Sequence, residues 1–540
     1  MKAETDLAAP RDIERLLVRA FEWVRQLSGW RRYALAFVLG IAAATSMAPY
    51  YFLPGIILGL SGLALLLDGA AGTTRPRRIG FLAGWAFGFG YFLFGMYWLG
   101  FAFLVQADQF GWMIPIAVPA FTGFLGLFFA MPAALAVSVW RDGVARLLFL
   151  AICVSAFEFL RGTILTGLPW NLFGQAFAGT PYLAQLAAWI GPYGLSLLVI
   201  LFGIAPAALV DQRGHVSWRG PILSLMLFAG MALFSIARLA LSPGISDANV
   251  AAVIVQPNVA QRDKLDPEKQ AEGMRALIAL TVEGAAETDA ETVYAIWPEN
   301  AAWSLANDQR VPQFLGQSLP VRVHLITGTI RYDDREGQRS YANSAAYFGH
   351  TDAGGEKPLE AVYDKHHLVP FGEYLPLKGL LRALGLAQLA PVEDGFVPGP
   401  GPTVIVTAPQ PFAPLICYED VFPRALYPAG KRPRWLVTVT NDAWFGDDAG
   451  PKQHLDIARL RAIESGLPMA RSANTGISAM IDPYGRITGE IGLYETGVLT
   501  RALPAPAARP LYDRLGNWPY FGLLLGLLAI AKREKLARNG

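Results

Sequence analysis

Cysteine is nearly absent: the chain has two in 540 residues, Cys153 and Cys417. Two thiols, one of them inside an apolar run, give no disulfide framework. No Cys/His spacing of the zinc type occurs, so neither a metal nor a cofactor is expected. Charge is scarce as well, with 16% Asp, Glu, Lys and Arg against 53% hydrophobic residues. Such a composition excludes an ordinary soluble domain and points to membrane spans. The net charge of +2 is uninformative as a total, and no nucleic-acid partner is expected. A cleavable signal peptide is missing too: residues 1–32 are polar and hold Arg11, Arg15, Arg19, Arg25, Arg31 and Arg32 before the first apolar run. A secretory signal has a much shorter basic region followed by a cleavage site. This segment reads as a basic, amphipathic cytoplasmic lead-in.

What the chain has in abundance is apolar runs. A spanning helix needs about 20 mostly apolar residues. Candidates cover 33–49, 51–68, 79–105, 112–139, 146–162, 185–210 and 219–241, then, after a long interval, 517–533. Lys and Arg are unevenly shared among the connections. Arg75, Arg77 and Arg78 follow the second run, Arg141 and Arg146 the fourth, Arg213 and Arg219 the sixth, and Lys532, Arg533, Lys535 and Arg538 the last. The intervening loops hold almost none, with Arg161 at one border. By the positive-inside rule both termini are cytoplasmic and residues 242–516 face the other side, the periplasm of a Gram-negative cell. The resulting layout is a lead-in (1–32), seven helices (33–241), an outer domain (242–516), an eighth helix (517–533) and a cytoplasmic tail (534–540). The outward stretch Gly162–Gly194, with Leu168-Pro169-Trp170-Asn171, reads as a re-entrant or interfacial loop, or as a mouth through which a lipid passes.

From 242 the pattern changes. Short β-rich runs at Val250–Gln256, Val293–Trp297, Val323–Gly328, Ser344–Phe348, Ala361–Lys365, Thr403–Thr407, Phe412–Cys417, Trp435–Thr440, Met469–Ser472 and Ser478–Ile481 enclose helical spacing at Ala271–Glu287 and Pro451–Glu464. Many strands with few helices predict an α/β sandwich with helices packed outside the sheets. Active groups in α/β folds favour strand ends, and Glu299, Lys365 and Cys417 are expected there.

The stretch Pro414-Leu415-Ile416-Cys417-Tyr418-Glu419-Asp420 puts a thiol at the end of an apolar run, with carboxylates close behind. A free cysteine is commonly a small buried hydrophobe, so Cys417 alone decides nothing. As a nucleophile it needs a base for its proton and donors for the oxyanion. Glu299 supplies a base, Lys365 a cation for thiolate and oxyanion, and the Tyr418 N–H a second donor.

These residues carry a resemblance. Trp297-Pro298-Glu299, Tyr363-Asp364-Lys365-His366-His367-Leu368-Val369-Pro370-Phe371-Gly372-Glu373-Tyr374 and Ile416-Cys417-Tyr418-Glu419 are similar to the Glu-Lys-Cys motifs of the nitrilase, or carbon–nitrogen hydrolase, superfamily. Thr440-Asn441-Asp442-Ala443-Trp444-Phe445-Gly446, Arg461–Glu464 and Arg471–Gly485 extend it. With the apolar runs, residues 33–533 resemble the membrane-embedded apolipoprotein N-acyltransferase family. The resemblance implies a nitrilase-like sandwich. It also implies an acyl chain carried as a cysteine thioester from a phospholipid, typically phosphatidylethanolamine, to the α-amino group of a diacylglyceryl-cysteine apolipoprotein. It assigns Glu299 as base, Lys365 as oxyanion and thiolate stabiliser, Cys417 as nucleophile, and Glu373, Tyr418, Glu419 and Trp444 as site-supporting residues. Thr440 stands where many relatives have serine.

Three further features bear on the site. Residues 375–390 have leucines near helical spacing and read as a membrane-dipping lid or a helix packed on its own domain. His366 and His367, as strand neighbours, face opposite ways and are poorly placed to share a metal. Glu464, among Arg459, Arg461 and Arg471, is expected to form an ion pair. Rival readings are a membrane-tethered amidase that releases its acyl group to water, and a transporter or scaffold with an inactive outer domain.

Overall fold

The computed structural model describes all residues except 1–9, 141, 245, 262–265, 304, 336–337, 353, 377–394, 425 and 538–540. The proposed lid at 375–390 thus falls almost wholly outside the described residues. The chain divides into two compact units, Met1–Ala240 with Leu515–Gly540, and Leu241–Arg514.

The first unit is helical. Its longer helices are α1 (Pro10–Gln26), α2 (Gly29–Ala44), α3 (Pro54–Ala71), α4 (Pro76–Gly95), α5 (Ile114–Leu125), α6 (Leu127–Ser138), α7 (Ala145–Arg161), α8 (Ala187–Ile204) and α9 (Arg219–Ala240), joined by the C-terminal helix Trp518–Ala537. Among the described residues, four helical stretches are long and apolar enough to cross a membrane: Pro54–Ala71, Ala107–Ser138, Ala187–Ala208 and Arg219–Ala240. A fifth is added if Pro76–Gly95 and Tyr97–Leu104, bent by 61°, count as one. The eight expected spans are therefore not all carried by length and apolarity: α2 and α7 have only 16 and 17 residues, and the C-terminal helix ends in Lys532, Arg533, Glu534 and Lys535.

Small residues let the helices close on one another. A Cβ on Gly40 of α2 would stand 2.0 Å from the Phe87 carbonyl oxygen of α4, so only glycine permits this approach. The buried carboxylate of Asp68 accepts from Arg25 Nε (3.2 Å), Arg146 Nε (2.7 Å), Trp140 Nε1 (2.9 Å) and Gln212 Nε2 (3.0 Å), joining α1, α3 and α7. The non-helical stretch after α7 is packed inside the unit. Arg161 Nη1 donates to the carbonyls of Leu168 (2.7 Å) and Trp170 (2.6 Å), and Glu158 Oε1 accepts from the Phe173 N–H (2.9 Å). Irregular backbone buried in an apolar unit persists only where its polar groups are met in this way.

The second unit is a sandwich of two sheets. The first sheet has the order β11-β1-β2-β3-β4-β5, with β1 (Ser246–Gln256), β2 (Thr292–Trp303), β3 (Val323–Arg335), β4 (Gln338–Phe348), β5 (Leu359–Asp364) and β11 (Gly497–Pro504). The second has the order β10-β9-β8-β7-β6, with β6 (Phe412–Ile416), β7 (Trp435–Thr440), β8 (Met469–Ala473), β9 (Ser478–Ile481) and β10 (Ile487–Ile491). Period-two alternation builds the layers. Val250, Ala252 and Ile254 of β1 meet Ile416, Trp435 and Val437 between the sheets. Val253 and Val255 face outward with Leu277 of α10 (Pro267–Ala286) and Leu315 of α11 (Val311–Ser318). On the opposite side Leu415 and Leu436 pack against Leu455, Ala458 and Ala462 of α12 (Ala449–Ser465). The α/β sandwich with outer helices is the expected architecture.

Three local expectations change. Thr403–Thr407 is not a strand: Ile405 makes an isolated bridge to Phe412, while β6 pairs along its length with β7. Strands β10 and β11 were not anticipated. Glu299 does not lie at a strand end. β2 runs on to Trp303, and its pairing with β3 jumps from Trp297↔Thr327 to Ala302↔Thr329. The extra residues form a bulge, a device that re-aims a side chain.

Candidate active site

The glutamate of Trp297-Pro298-Glu299 owes its position to that bulge. Asn300 takes a left-handed φ of 50°, a conformation asparagine tolerates better than most side chains. Gly328 on β3 supplies the room: a Cβ there would lie 2.5 Å from Glu299 Cα and 2.6 Å from the Pro298 carbonyl oxygen.

Lys365 follows β5 directly. Its N–H donates to the Asn343 carbonyl of β4 (2.8 Å), extending the ladder by one residue. Its Nζ lies 2.9 Å from Glu373 Oε1 and 3.7 Å from Glu299 Oε1. Asn343 joins the same two carboxylates, with Nδ2 donating to Glu299 Oε1 (2.7 Å) and to Glu373 Oε1 (2.8 Å). Glu373 Oε2 accepts from the Val369 N–H (2.8 Å), which fixes it in its turn. Glu373 is thus the closer counter-ion of the lysine, and Glu299 the more distant one.

Cys417 comes one residue after β6, where the strand turns into a single helical turn, Cys417–Val421. Its φ of 49° is left-handed, a strained backbone for a side chain with a Cβ, of the kind that lifts a nucleophile out of a strand-to-helix turn. Glu419 holds this turn. Its Oε2 accepts from the Ile416 N–H (2.8 Å), and its Oε1 from the N–H groups of His366 (2.8 Å) and His367 (3.2 Å) and the Tyr363 hydroxyl (2.8 Å). The carboxylate therefore ties the cysteine turn to the lysine segment. Tyr418 and His367 both pack on Phe422, with ring centroids at 5.0 and 3.7 Å. His366 points its Nδ1 at Glu419 Oε1 (2.7 Å). Trp444 is half-buried at the end of the short helix Asp442–Trp444, and among the described residues no hydrogen bond or ring contact joins it to Glu299, Lys365 or Cys417.

Electrostatics separate the roles. Burial is the largest influence on the Cys417 thiol and raises its pKa well above the ordinary value. Glu299 adds to the rise, while Lys365 and a hydrogen bond from Thr440 oppose it. Burial alone lowers the Lys365 ammonium, but Glu373 and then Glu299 override it and leave the pKa raised. Losing the thiol proton to water would add a negative charge to a buried space, at high cost, whereas passing it to a neighbouring carboxylate would leave the total charge unchanged.

Sequence reasoning missed Asn343 and a buried cluster behind the thiol formed by Asp420, Asp442, His454 and Arg471. The available signal was a polar residue inside an apolar strand: Asn343 in Ala342-Asn343-Ser344-Ala345 and Arg471 in Met469-Ala470-Arg471-Ser472. Glu464 forms the expected ion pair, with Oε1 accepting from Arg461 Nη2 (2.7 Å).

Two family descriptions match the chain: Apolipoprotein N-acyltransferase N-terminal domain over residues 39–205, and Carbon-nitrogen hydrolase over residues 250–512. The apolipoprotein N-acyltransferase of Rhodopseudomonas palustris is 40% identical over 521 residues, covering 94% of this chain and 96% of that protein. That of Bradyrhizobium diazoefficiens is 38% identical, covering 96% and 99%. The chain belongs to the apolipoprotein N-acyltransferase family. That of Brucella melitensis is 38% identical, covering 94% of this chain and 96% of its own. In this apolipoprotein N-acyltransferase family member the sheet unit is the carbon–nitrogen hydrolase domain, and the apolar helices lie largely in the N-terminal domain match.

Proposed function

We propose that this chain N-acylates lipoproteins by a two-step transfer through Cys417. Glu299 takes the thiol proton as the sulfur attacks an ester carbonyl of a phospholipid, phosphatidylethanolamine being the expected donor. Lys365 Nζ and the Tyr418 N–H hold the oxyanion. The carbon–oxygen bond breaks, Glu299 returns the proton to the departing lysophospholipid oxygen, and a thioester remains. The α-amino group of a diacylglyceryl-cysteine apolipoprotein then attacks the thioester. Its proton passes to Glu299 and on to the leaving sulfur, which gives the amide and restores the thiol.

The observation that carries this reading is the pairing of Lys365 with Glu373 at 2.9 Å and its looser 3.7 Å approach to Glu299, beside a cysteine on a left-handed turn. Glu373, the nearer carboxylate, serves as the lysine's main counter-ion, and Glu299 is assigned the base. Family membership supports the acyl acceptor.

The same proposal includes the layout. Eight crossings, with α2, α7 and the C-terminal helix added to the five more apolar segments, leave both termini cytoplasmic and residues 242–516 periplasmic. The Lys and Arg bias of the connections supports it. A 16-residue helix is about 24 Å long, short for a bilayer of about 30 Å, so local bilayer thinning or residues beyond the ends of α2 complete this crossing.

Purified protein incubated with phosphatidylethanolamine tests the chemistry. Mass spectrometry of the Cys417 peptide should reveal a hydroxylamine-labile acyl adduct, absent from Cys417→Ala and retained in Cys153→Ala. A diacylated lipopeptide should then remove it onto its amine. Release as free fatty acid, unaffected by the lipopeptide, would indicate an amidase-like hydrolase, and absence of any adduct would refute the reading.

A further inference from the structure

Asp420, the last residue of the cysteine motif, faces away from the lysine and joins a closed ring of charges behind the nucleophile. His454 Nε2 lies 2.7 Å from Asp420 Oδ1, and His454 Nδ1 lies 2.9 Å from Asp442 Oδ1. The Arg471 guanidinium donates from Nη1 to Asp420 Oδ2 (3.1 Å) and from Nη2 to Asp442 Oδ2 (2.7 Å). Both imidazole nitrogens lie within hydrogen-bond reach of carboxylate oxygens, and Nδ1 also lies 3.0 Å from Arg471 Nη2. Burial lowers the imidazole pKa, but Asp420 and Asp442 outweigh it and leave the value raised. All four side chains are buried, and such a ring is rigid because moving one member strands the charges of the others. Gly476 closes it, since a Cβ there would lie 2.3 Å from Asp442 Oδ2.

The ring has one outlet toward the chemistry. Thr440 Oγ1 donates to Asp442 Oδ1 at 3.0 Å. Thr440 ends β7, and the parallel register Ile416↔Val439 sets it beside Cys417, where its hydroxyl acts to lower the thiol pKa. A hydroxyl has one proton to give, so it serves either the carboxylate or the sulfur.

We propose that Thr440 is a positioning residue for the nucleophile: its hydroxyl donates to Asp442 while Cys417 is a thiol or thioester and turns to the sulfur when Cys417 is a thiolate. The ring of Asp420, Asp442, His454 and Arg471 fixes the resting acceptor, so the hydroxyl is held within reach of the sulfur throughout the cycle. No proton leaves Thr440; the thiol proton goes to Glu299. The inference rests on Cys417 being the nucleophile.

The test compares full-length wild type, Thr440→Val and Thr440→Ser in detergent. Two rates are read: acyl-adduct formation on Cys417 from phosphatidylethanolamine, and alkylation of Cys417 by iodoacetamide at fixed pH. Loss of one hydrogen bond to an anion should slow both by roughly tenfold or more in Thr440→Val, while Thr440→Ser, which keeps the hydroxyl, stays within about threefold of wild type on the same scale. Equal rates in wild type and Thr440→Val overturn the proposal. So does a Thr440→Ser variant as slow as Thr440→Val, because the lost methyl contact would then be responsible. If Thr440→Val fails to fold, Thr440→Ala takes its place: it also lacks the hydroxyl, so a roughly tenfold loss beside a near-wild-type Thr440→Ser supports the proposal and wild-type rates overturn it. A wild type without an adduct instead defeats the nucleophile assignment itself.

Discussion

Asn343→Leu removes the one neutral group that bridges Glu299 and Glu373. Its Nδ2 donates 2.7 Å to one carboxylate and 2.8 Å to the other. Hydrogen bonds to charged groups contribute about 1.5–3 kcal/mol each. Losing the one to Glu299 weakens the hold on that carboxylate, which Lys365 approaches only to 3.7 Å. The lysine is then drawn toward Glu299 and away from its oxyanion position. At about 1.4 kcal/mol per decade, one such bond corresponds to roughly a 10- to 100-fold drop in the acylation rate, and losing both should cost the fold about 3–6 kcal/mol. Asn343→Asp sharpens the test. At neutral pH it sets a third carboxylate against two others. When protonated, its single O–H restores a donor to one of them, so its rate relative to wild type should rise as pH falls. The assay is the rate of adduct formation on Cys417 between pH 6 and 8, with thermal unfolding as a check on folding. Rates within about threefold of wild type for both variants, with Cys417→Ala inactive, would refute the bridging argument, because the expected loss is larger.

Gly328→Ala should cripple acylation and cost about 1–3 kcal/mol of stability, since its Cβ would meet the Glu299 backbone at 2.5 Å; an active variant would mean the bulge can move freely. The His454 pKa is raised: burial alone lowers it, but Asp420 and Asp442 together outweigh both burial and Arg471. Its stabilising contribution is therefore complete below the unfolded-state value of about 6.5 and is lost as pH rises through the higher folded value. The melting temperature of wild type relative to His454→Gln should fall as pH rises above about 6.5, and a difference that stays flat or grows would show that the imidazole is not charged. Asp68→Ala leaves Arg146 buried without its carboxylate and should cost about 3–5 kcal/mol, read as a lower melting temperature in detergent. The same variant should expose the Leu27–Ser28 connection to protease, because Arg25 loses one of its anchors on α3.

Much of the site was legible because motif and strand end coincide. Cys417 follows an apolar run that is buried on both faces, and Lys365 follows a strand whose last residue is Asp364. These positions follow from local pattern. Glu299 was placed correctly near its partners but for the wrong reason, since β2 does not stop there. Pro298 and Asn300 read as a strand terminator, whereas Gly328, 29 positions further along the chain, allows the strand to bulge and continue. The edge strands β10 and β11 were missed because Ile487–Ile491 and Gly497–Pro504 mix glycine and charged residues, and their partners β9 and β1 supply the pairing. The expected strand Thr403–Thr407 meets the open edge of β6 only through the bridge of Ile405 to Phe412.

The sequence by itself determined the division into apolar helices and an α/β sandwich, the residue types able to carry acyl transfer, and their order along the chain. These follow from composition, period and short motifs, which act over a few residues. Only the tertiary structure decided which carboxylate neutralises Lys365, that Asn343 spans both glutamates, and that Asp420 belongs to a ring with Asp442, His454 and Arg471. Those choices depend on strand order and register. Placing β4 beside β5, and β7 between β6 and β8, brings together side chains tens of residues apart, and no local pattern encodes which polar group will find itself buried beside which charge.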